Sequence, residues 1–116
     1  MTKNRKMANE IRQWLLDHEM WQDTTIYFDG KAYSTSDGTG FYYNDPEHLV
    51  EYEADPSMYV EYYSKDSITM TFEGPLYDLI NYDFCSPLLE EFDDIFKKYG
   101  YYYELGYAWS LACCEI

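Results

Sequence analysis

The chain has 116 residues, and 22 Asp and Glu against 8 Lys and Arg give it a formal net charge of −14 at pH 7. Aromatic residues make up 21% of the sequence, which excludes a disordered acidic tail because such tails lack the side chains that build a core. The negative charge disfavours direct binding to DNA or RNA, since phosphate contacts need lysine and arginine. We therefore expect a single domain over residues 1–116 and a basic partner.

The N-terminal residues do not resemble a targeting segment. Residues 1–12 carry four basic groups and one acid, but no apolar run of signal-peptide length follows them. No stretch of the sequence is apolar enough for a membrane-spanning helix, so no membrane association is expected. The three cysteines, Cys85, Cys113 and Cys114, are an odd number with two adjacent. That pattern predicts reduced thiols in a cytosolic protein.

The first third of the chain predicts a helix followed by a β-hairpin. Apolar residues recur with a period of 3.6 over Lys3–Glu19, which is typical of an amphipathic helix. Two strands, Thr24–Asp29 and Lys31–Ser34, flank Asp29-Gly30, the residue pair preferred in a type I′ turn. A glycine-containing turn at residues 36–40 leads into a short aromatic strand at Phe41–Tyr43.

The middle of the chain carries both helix and strand signals. Asp45-Pro46-Glu47 resembles a helix start, so a short helix is predicted at His48–Glu53. The alternative is a strand, because apolar and acidic residues alternate there. Strands are also predicted at Met58–Tyr63 and Ser67–Glu73. In the first of these, alternation places Tyr59, Glu61 and Tyr63 on one face.

The last third predicts two helical segments and a strand. Leu76–Tyr82 indicates one or two helical turns. Ser86-Pro87 opens the best-specified helix, which has acids in its first half, lysines in its last turn and Gly100 after it. Residues 107–114 alternate large and small side chains, as a strand does. The expected fold is α+β: a single, mostly antiparallel sheet of five to six strands with an N-terminal helix and a C-terminal-half helix packed on it.

No motif for catalysis or cofactor binding is present. The cysteines and histidines lack zinc-ligand spacing, His18 is expected to pack on its helix, and His48 is expected to be exposed. The nucleophile motif Gly-x-Ser-x-Gly and the phosphate-binding glycine pattern do not occur in the sequence. We therefore predict a protein that is not an enzyme, with no catalytic residues, no metal site and no cofactor.

The densest acidic and aromatic stretch spans residues 41–66, where seven acids face one base, Lys65. Carboxylates two apart on a strand are separated by about 6.6–6.8 Å, comparable to neighbouring phosphates of a nucleic acid. Interleaved tyrosines can supply buried anchors at an interface. Partner binding is therefore predicted for nine residues: Asp45, Glu47, Glu51, Glu53, Asp55, Tyr59, Glu61, Tyr63 and Asp66. The other possibility is a solvated acidic face that only maintains solubility.

A short, acidic, tyrosine-rich chain with no catalytic motif resembles the small inhibitors of bacterial defence made by phages and mobile elements, namely anti-CRISPR and antirestriction proteins. The resemblance is one of composition and transfers no residue. It implies a cytoplasmic inhibitor in a bacterial host, bound to a CRISPR effector or a restriction nuclease. The basic residues of the first helix, Lys3, Arg5, Lys6 and Arg12, depart from a pure nucleic-acid mimic. These residues could contact either guide RNA or an acidic patch of the target protein.

Two other functions fit the same composition. An immunity protein that neutralises a basic toxin needs a similar acidic and aromatic surface. A general acidic interaction domain is the third possibility. A toxin gene beside this one would favour the immunity protein, whereas phage structural genes would favour the inhibitor.

Overall fold

The computed structural model describes residues 1–83 and 85–116, and it begins with helix α1 at Lys3–Asp17. The Thr2 side chain caps this helix by accepting a hydrogen bond from the Arg5 amide at 3.1 Å. The buried face consists of Met7, Ala8, Ile11 and Leu15. The predicted helix is confirmed, two residues shorter than expected, and His18 follows it in an exposed position with its ring 4.6 Å from that of Trp14.

The described residues form one antiparallel sheet of six strands in the order β3-β2-β1-β4-β6-β5, with three α-helices. This is the α+β fold expected from the sequence. The strands are β1 (Thr24–Phe28), β2 (Lys31–Ser34), β3 (Val50–Glu53), β4 (Thr69–Phe72), β5 (Tyr101–Leu105) and β6 (Ser110–Glu115).

The hairpin of β1 and β2 forms as predicted. Phe28 pairs with Lys31, and Asp29 and Gly30 between them have φ angles of 51° and 75°. Positive φ at both central residues defines the type I′ turn, whose twist matches that of the two strands.

The predicted helix at His48–Glu53 is wrong, and the alternative strand is confirmed. Residues Val50–Glu53 form β3, which pairs with β2 as an edge strand. The Asp45 carboxylate does accept a hydrogen bond from the Glu47 amide at 3.0 Å, but the turn it stabilises leads into extended chain. Pairing with the open edge of β2 satisfies the backbone of β3 without a helix. The strand predicted at Phe41–Tyr43 is also wrong, since Phe41 makes a single bridge with Ser36.

The strand predicted at Met58–Tyr63 is wrong as well. A 3₁₀ turn at Pro56–Met58 replaces its beginning, and the Asp55 carboxylate caps that turn. Val60 is nevertheless buried, at 4% exposure, between exposed neighbours. Burial of this single residue therefore reflects packing of the loop rather than pairing in a sheet. The strand predicted at Ser67–Glu73 is confirmed by β4.

Helix α2 spans Gly74–Tyr82 and helix α3 spans Pro87–Lys98, as their sequence signals predict. The Ser86 hydroxyl caps α3 by accepting a hydrogen bond from the Leu88 amide at 3.1 Å. The C-terminal strand is confirmed, although it begins at Ser110 rather than Tyr107. Its partner β5 was not predicted from the sequence.

The two faces of the sheet have different environments. The side that faces the helices contributes Ile26, Phe28, Met70 and Phe72 to the core that α1, α2 and α3 complete. Residues of the opposite face include Tyr27, whose ring stacks on Tyr59 with a centroid distance of 5.9 Å. The loop between β3 and β4 thus covers part of that second face. In the described residues, no helix has the length and apolarity needed to cross a membrane.

Candidate interaction surface

Three of the nine predicted partner-binding residues converge on one cleft. Glu53, Asp55 and Tyr63 line an open cleft of about 670 Å³ beside the turn between β1 and β2. Asp29 and Lys65 line the same cleft, which sequence reasoning did not indicate. The cleft brings together the hairpin turn, the end of β3 and the loop before β4.

Two carboxylates of this cleft, those of Asp29 and Asp55, accept local hydrogen bonds. Asp29 accepts from the side chains of Thr2 and Asn4. Asp55 accepts from the amide and the hydroxyl of Ser57 at 3.0 and 2.8 Å, which lowers the pKa of Asp55 below its usual range. A lowered pKa keeps the carboxylate ionised and unsuited to donate a proton near neutral pH. Asp55 therefore contributes negative charge and stabilises the 3₁₀ turn that follows it.

Glu51 lies on the helix-facing side of the sheet and is paired within the protein. Its two oxygens accept hydrogen bonds from the Arg5 guanidinium at 2.7 and 3.2 Å, which lowers the pKa of Glu51. Arg5 also donates to the Tyr33 hydroxyl at 3.2 Å. A carboxylate held in this way is less available to an external cation than an exposed one.

The remaining predicted residues are spread over the surface. Asp45 caps the turn before β3, and the Asp66 carbonyl accepts from the Asn4 side chain at 2.9 Å. Glu47 and Glu61 are exposed, and neither forms a salt bridge within the described part of the chain. Since residues 58–63 are not a strand, the single face predicted for Tyr59, Glu61 and Tyr63 does not exist.

Basic residues of α1 contact aromatic rings of the protein's own core. The Lys3 ammonium lies 4.4 Å from the centroid of the Tyr101 ring. The guanidinium of Arg12 lies 5.8 Å from Trp21, and that of Arg5 lies 5.1 Å from Phe28. Cation–π contacts of this kind hold the charges against the fold. Lys6, the fourth of these cations, is exposed.

A second feature, which the sequence did not reveal, is a group of exposed rings that we call the aromatic surface. Its members are between 36% and 69% exposed. Tyr107 and Trp109 stack with a centroid distance of 4.8 Å, and Phe41 lies 5.4 Å from Tyr43. Exposed rings brought together from distant segments are typical of interaction sites. The aromatic surface consists of Phe41, Tyr43, Tyr59, Tyr107 and Trp109.

A second cleft, of about 360 Å³, lies within the aromatic surface. Tyr59 and Trp109 line it together with two acids, Asp23 and Glu73. The Asp23 carboxylate accepts a hydrogen bond from the Tyr43 hydroxyl, which connects the cleft to the rings of Tyr43 and Phe41. None of the described residues that line the cleft is basic. We call it the aromatic cleft.

The three cysteines are free thiols in different environments. Cys85 is exposed, whereas burial raises the pKa of Cys113 to about 12. Cys114 is partly exposed and lies within 3.4 Å of the Tyr62 hydroxyl and 3.3 Å of Glu104. Within residues 1–83 and 85–116, no three His, Cys, Asp or Glu side chains are grouped as a metal site requires.

Three comparisons with known proteins give no relative from which a function could be transferred. The chain matches no protein-family model, no curated protein and no solved structure. A functional inference therefore has to start from the residues of this chain and their arrangement.

Proposed function

We propose that this protein is a non-enzymatic inhibitor that binds a basic, nucleic-acid-handling protein, a CRISPR effector or a restriction nuclease, in the bacterial cytoplasm. The observation that carries the proposal is the unequal placement of the two signs of charge. Five of the eight basic side chains contact the protein's own carboxylates or rings, namely Lys3, Arg5, Arg12, Lys97 and Lys98.

Carboxylates, in contrast, remain at the surface. Glu47, Glu53 and Glu61 are exposed, and within the described chain none of them forms a salt bridge. An approaching protein therefore meets acids that are not held in salt bridges, although Lys31 lies opposite Glu53 on the neighbouring strand. Such a surface attracts a groove built for phosphates and gives fast, salt-sensitive association.

In this proposal the protein mimics nucleic acid, but its acidic side chains are not arranged in a row along one strand as phosphates are. Among the strands of the described chain, only β3 carries two acids two residues apart, Glu51 and Glu53, and Arg5 neutralises the first of them. The negative groups are instead distributed over the turn before β3, the cleft beside the hairpin and the loop before β4. Specific affinity then has to come from the aromatic surface, because exposed charge pairs add little on their own.

The test compares two variants that lose the same number of charges. One replaces Glu47, Glu53 and Glu61 with Gln, and leaves Glu51 unchanged because its loss would expose Arg5. The control variant removes three exposed acids of the helices and their ends, as Glu19→Gln, Asp78→Asn and Glu90→Gln. Association with a CRISPR effector and with a restriction nuclease is followed by stopped-flow mixing at low and high salt.

The proposal predicts slower association and a shallower salt dependence for the first variant than for the control. It also predicts that the unmodified protein inhibits nuclease activity at low ionic strength. Absence of binding to any nuclease or effector of the host under those conditions would rule the proposal out. Equal effects of the two variants would show that net charge matters but that these three positions do not form the binding surface.

A further inference from the structure

The aromatic cleft combines two kinds of group that together suit one ligand chemistry. Tyr59 and Trp109 are 61% and 36% exposed and line the cleft, and each ring stacks on a neighbouring tyrosine through one face. Asp23 and Glu73 supply carboxylates beside those rings. A planar cation can stack on a ring face while it donates hydrogen bonds to a carboxylate.

The same combination already holds a guanidinium elsewhere in this protein. Arg5 lies 5.1 Å from the centroid of the Phe28 ring and donates two hydrogen bonds to Glu51, the shorter of 2.7 Å. In the aromatic cleft the rings and the acids are present, but no basic side chain of the described chain lines it. The cleft thus offers the same combination of ring and carboxylate that holds Arg5, but no arginine of the described chain occupies it.

Both acids have oxygens available for a ligand. The Asp23 carboxylate uses one oxygen to accept from Tyr43, which leaves the other for a further donor. Glu73 precedes α2 but makes no capping hydrogen bond with its side chain. The Glu73 carboxylate is therefore not used to cap this helix.

We propose that the aromatic cleft binds an arginine side chain of the basic partner, with the guanidinium against Trp109 and Tyr59 and its N–H groups donating to Asp23 and Glu73. This inference rests on the proposed function and names the partner chemistry that the site recognises. A volume of about 360 Å³ lies at the lower end of the range of roughly 300–1,000 Å³ for ligand pockets, which suits one long side chain.

Arginine fits the cleft better than lysine does. The guanidinium is flat, stacks on rings and presents several donors in one plane, so it can contact two carboxylates and a ring together. A lysine ammonium is a strongly hydrated point charge that loses more hydration at such a site. A second copy of this chain is disfavoured as the occupant, because two molecules with a net charge of −14 repel each other.

The experiment uses the intact protein and three short peptides that differ at one position, which is arginine, lysine or citrulline. Binding is followed by NMR through the indole N–H signal of Trp109, assigned with the variant Trp109→Phe. We expect the arginine peptide to bind at least about fivefold more tightly than the lysine peptide and the citrulline peptide to bind weakest.

Two variants locate the site. Glu73→Gln removes a carboxylate that makes no capping bond, so the fold should persist while affinity for the arginine peptide falls about tenfold. Asp23→Asn should weaken binding similarly, and Glu90→Gln, an exposed acid of α3 outside the cleft, is the matched control. Equal affinity for the arginine and lysine peptides would overturn the proposal. So would unchanged binding by Glu73→Gln, or a Trp109 signal that responds to protein concentration through self-association.

These measurements need no nuclease, so they separate the two proposals. If the cleft binds the arginine peptide but no nuclease is inhibited, the site stands and the proposed function fails. If a nuclease is inhibited but the arginine and lysine peptides bind with equal affinity, the proposed function stands and the arginine site is wrong.

Discussion

Truncation of Val60 tests whether the loop between β3 and β4 packs on the second face of the sheet. Val60 is 4% exposed although residues on both sides of it are exposed. Val60→Ala removes two buried methyl groups, and at about 0.8 kcal/mol for each the transfer cost is about 1.6 kcal/mol. With a contribution from the cavity left behind, we expect the free energy of unfolding to fall by about 2 kcal/mol.

Urea denaturation measures this change, and at this chain length it corresponds to a fall in Tm of about 8 °C. Met58→Ala is the matched control, since it removes a larger side chain that is 77% exposed in the same loop. We expect that control to stay within about 0.5 kcal/mol of the wild-type protein. Equal stabilities for Val60→Ala and the wild-type protein would refute the packing described for this loop.

Substitution of Tyr59, the residue before Val60, should affect partner binding more than stability. Its ring is 61% exposed and stacks on Tyr27, so Tyr59→Ala should cost only about 1 kcal/mol of stability. Because Tyr59 also lines the aromatic cleft, the same substitution should weaken partner binding, mainly through faster dissociation. A variant that loses stability without losing affinity would remove Tyr59 from the proposed interface.

Two further predictions concern the polar contacts of the fold. Tyr33→Phe should lower the free energy of unfolding by about 0.5–1.5 kcal/mol in urea, because the buried Tyr33 hydroxyl donates to Asn9 at 2.6 Å, and an unchanged midpoint would contradict this. Burial raises the pKa of Asp93, which makes the folded protein favour the protonated form and lose stability as pH rises above the ordinary Asp value of 3.8. Asp93→Asn can still accept from Tyr103, so the variant should match or exceed the wild-type stability at pH 7, and thermal unfolding from pH 3 to 7 should show its advantage shrinking toward the acidic end.

The elements predicted correctly from the sequence are those whose signals are local. Helix α3 has a capping serine, a proline at its first position and lysines in its last turn, all within its own residues. The type I′ turn at Asp29-Gly30 is likewise decided by two adjacent residues that accept positive φ. Strand β5 was missed because Gly100 only marks the end of α3, although three consecutive tyrosines after it favour a strand.

The acidic stretch was predicted less well because its structure depends on distant partners. The sequence alternates around Val60, but only Val60 is buried, and a sequence pattern cannot distinguish a residue buried in a packed loop from one buried in a strand. Glu51 looks like a surface acid until Arg5, 46 residues earlier, is placed beside it. The aromatic surface joins Phe41, Tyr59 and Trp109 from three separate segments, and the fold alone determines that they meet.

The net charge and the aromatic cleft should act on a partner at different distances. The net charge of −14 acts over about a Debye length, about 8 Å at physiological salt, and should attract a basic partner most strongly to the face where acids are not held in salt bridges. This long-range attraction cannot select one residue of that partner, because at that distance it does not distinguish one cationic side chain from another. Selection requires contact, and the aromatic cleft offers it through the ring faces of Tyr59 and Trp109 beside the carboxylates of Asp23 and Glu73. Salt should therefore act mainly on the association rate, while changes in the cleft should act mainly on the dissociation rate.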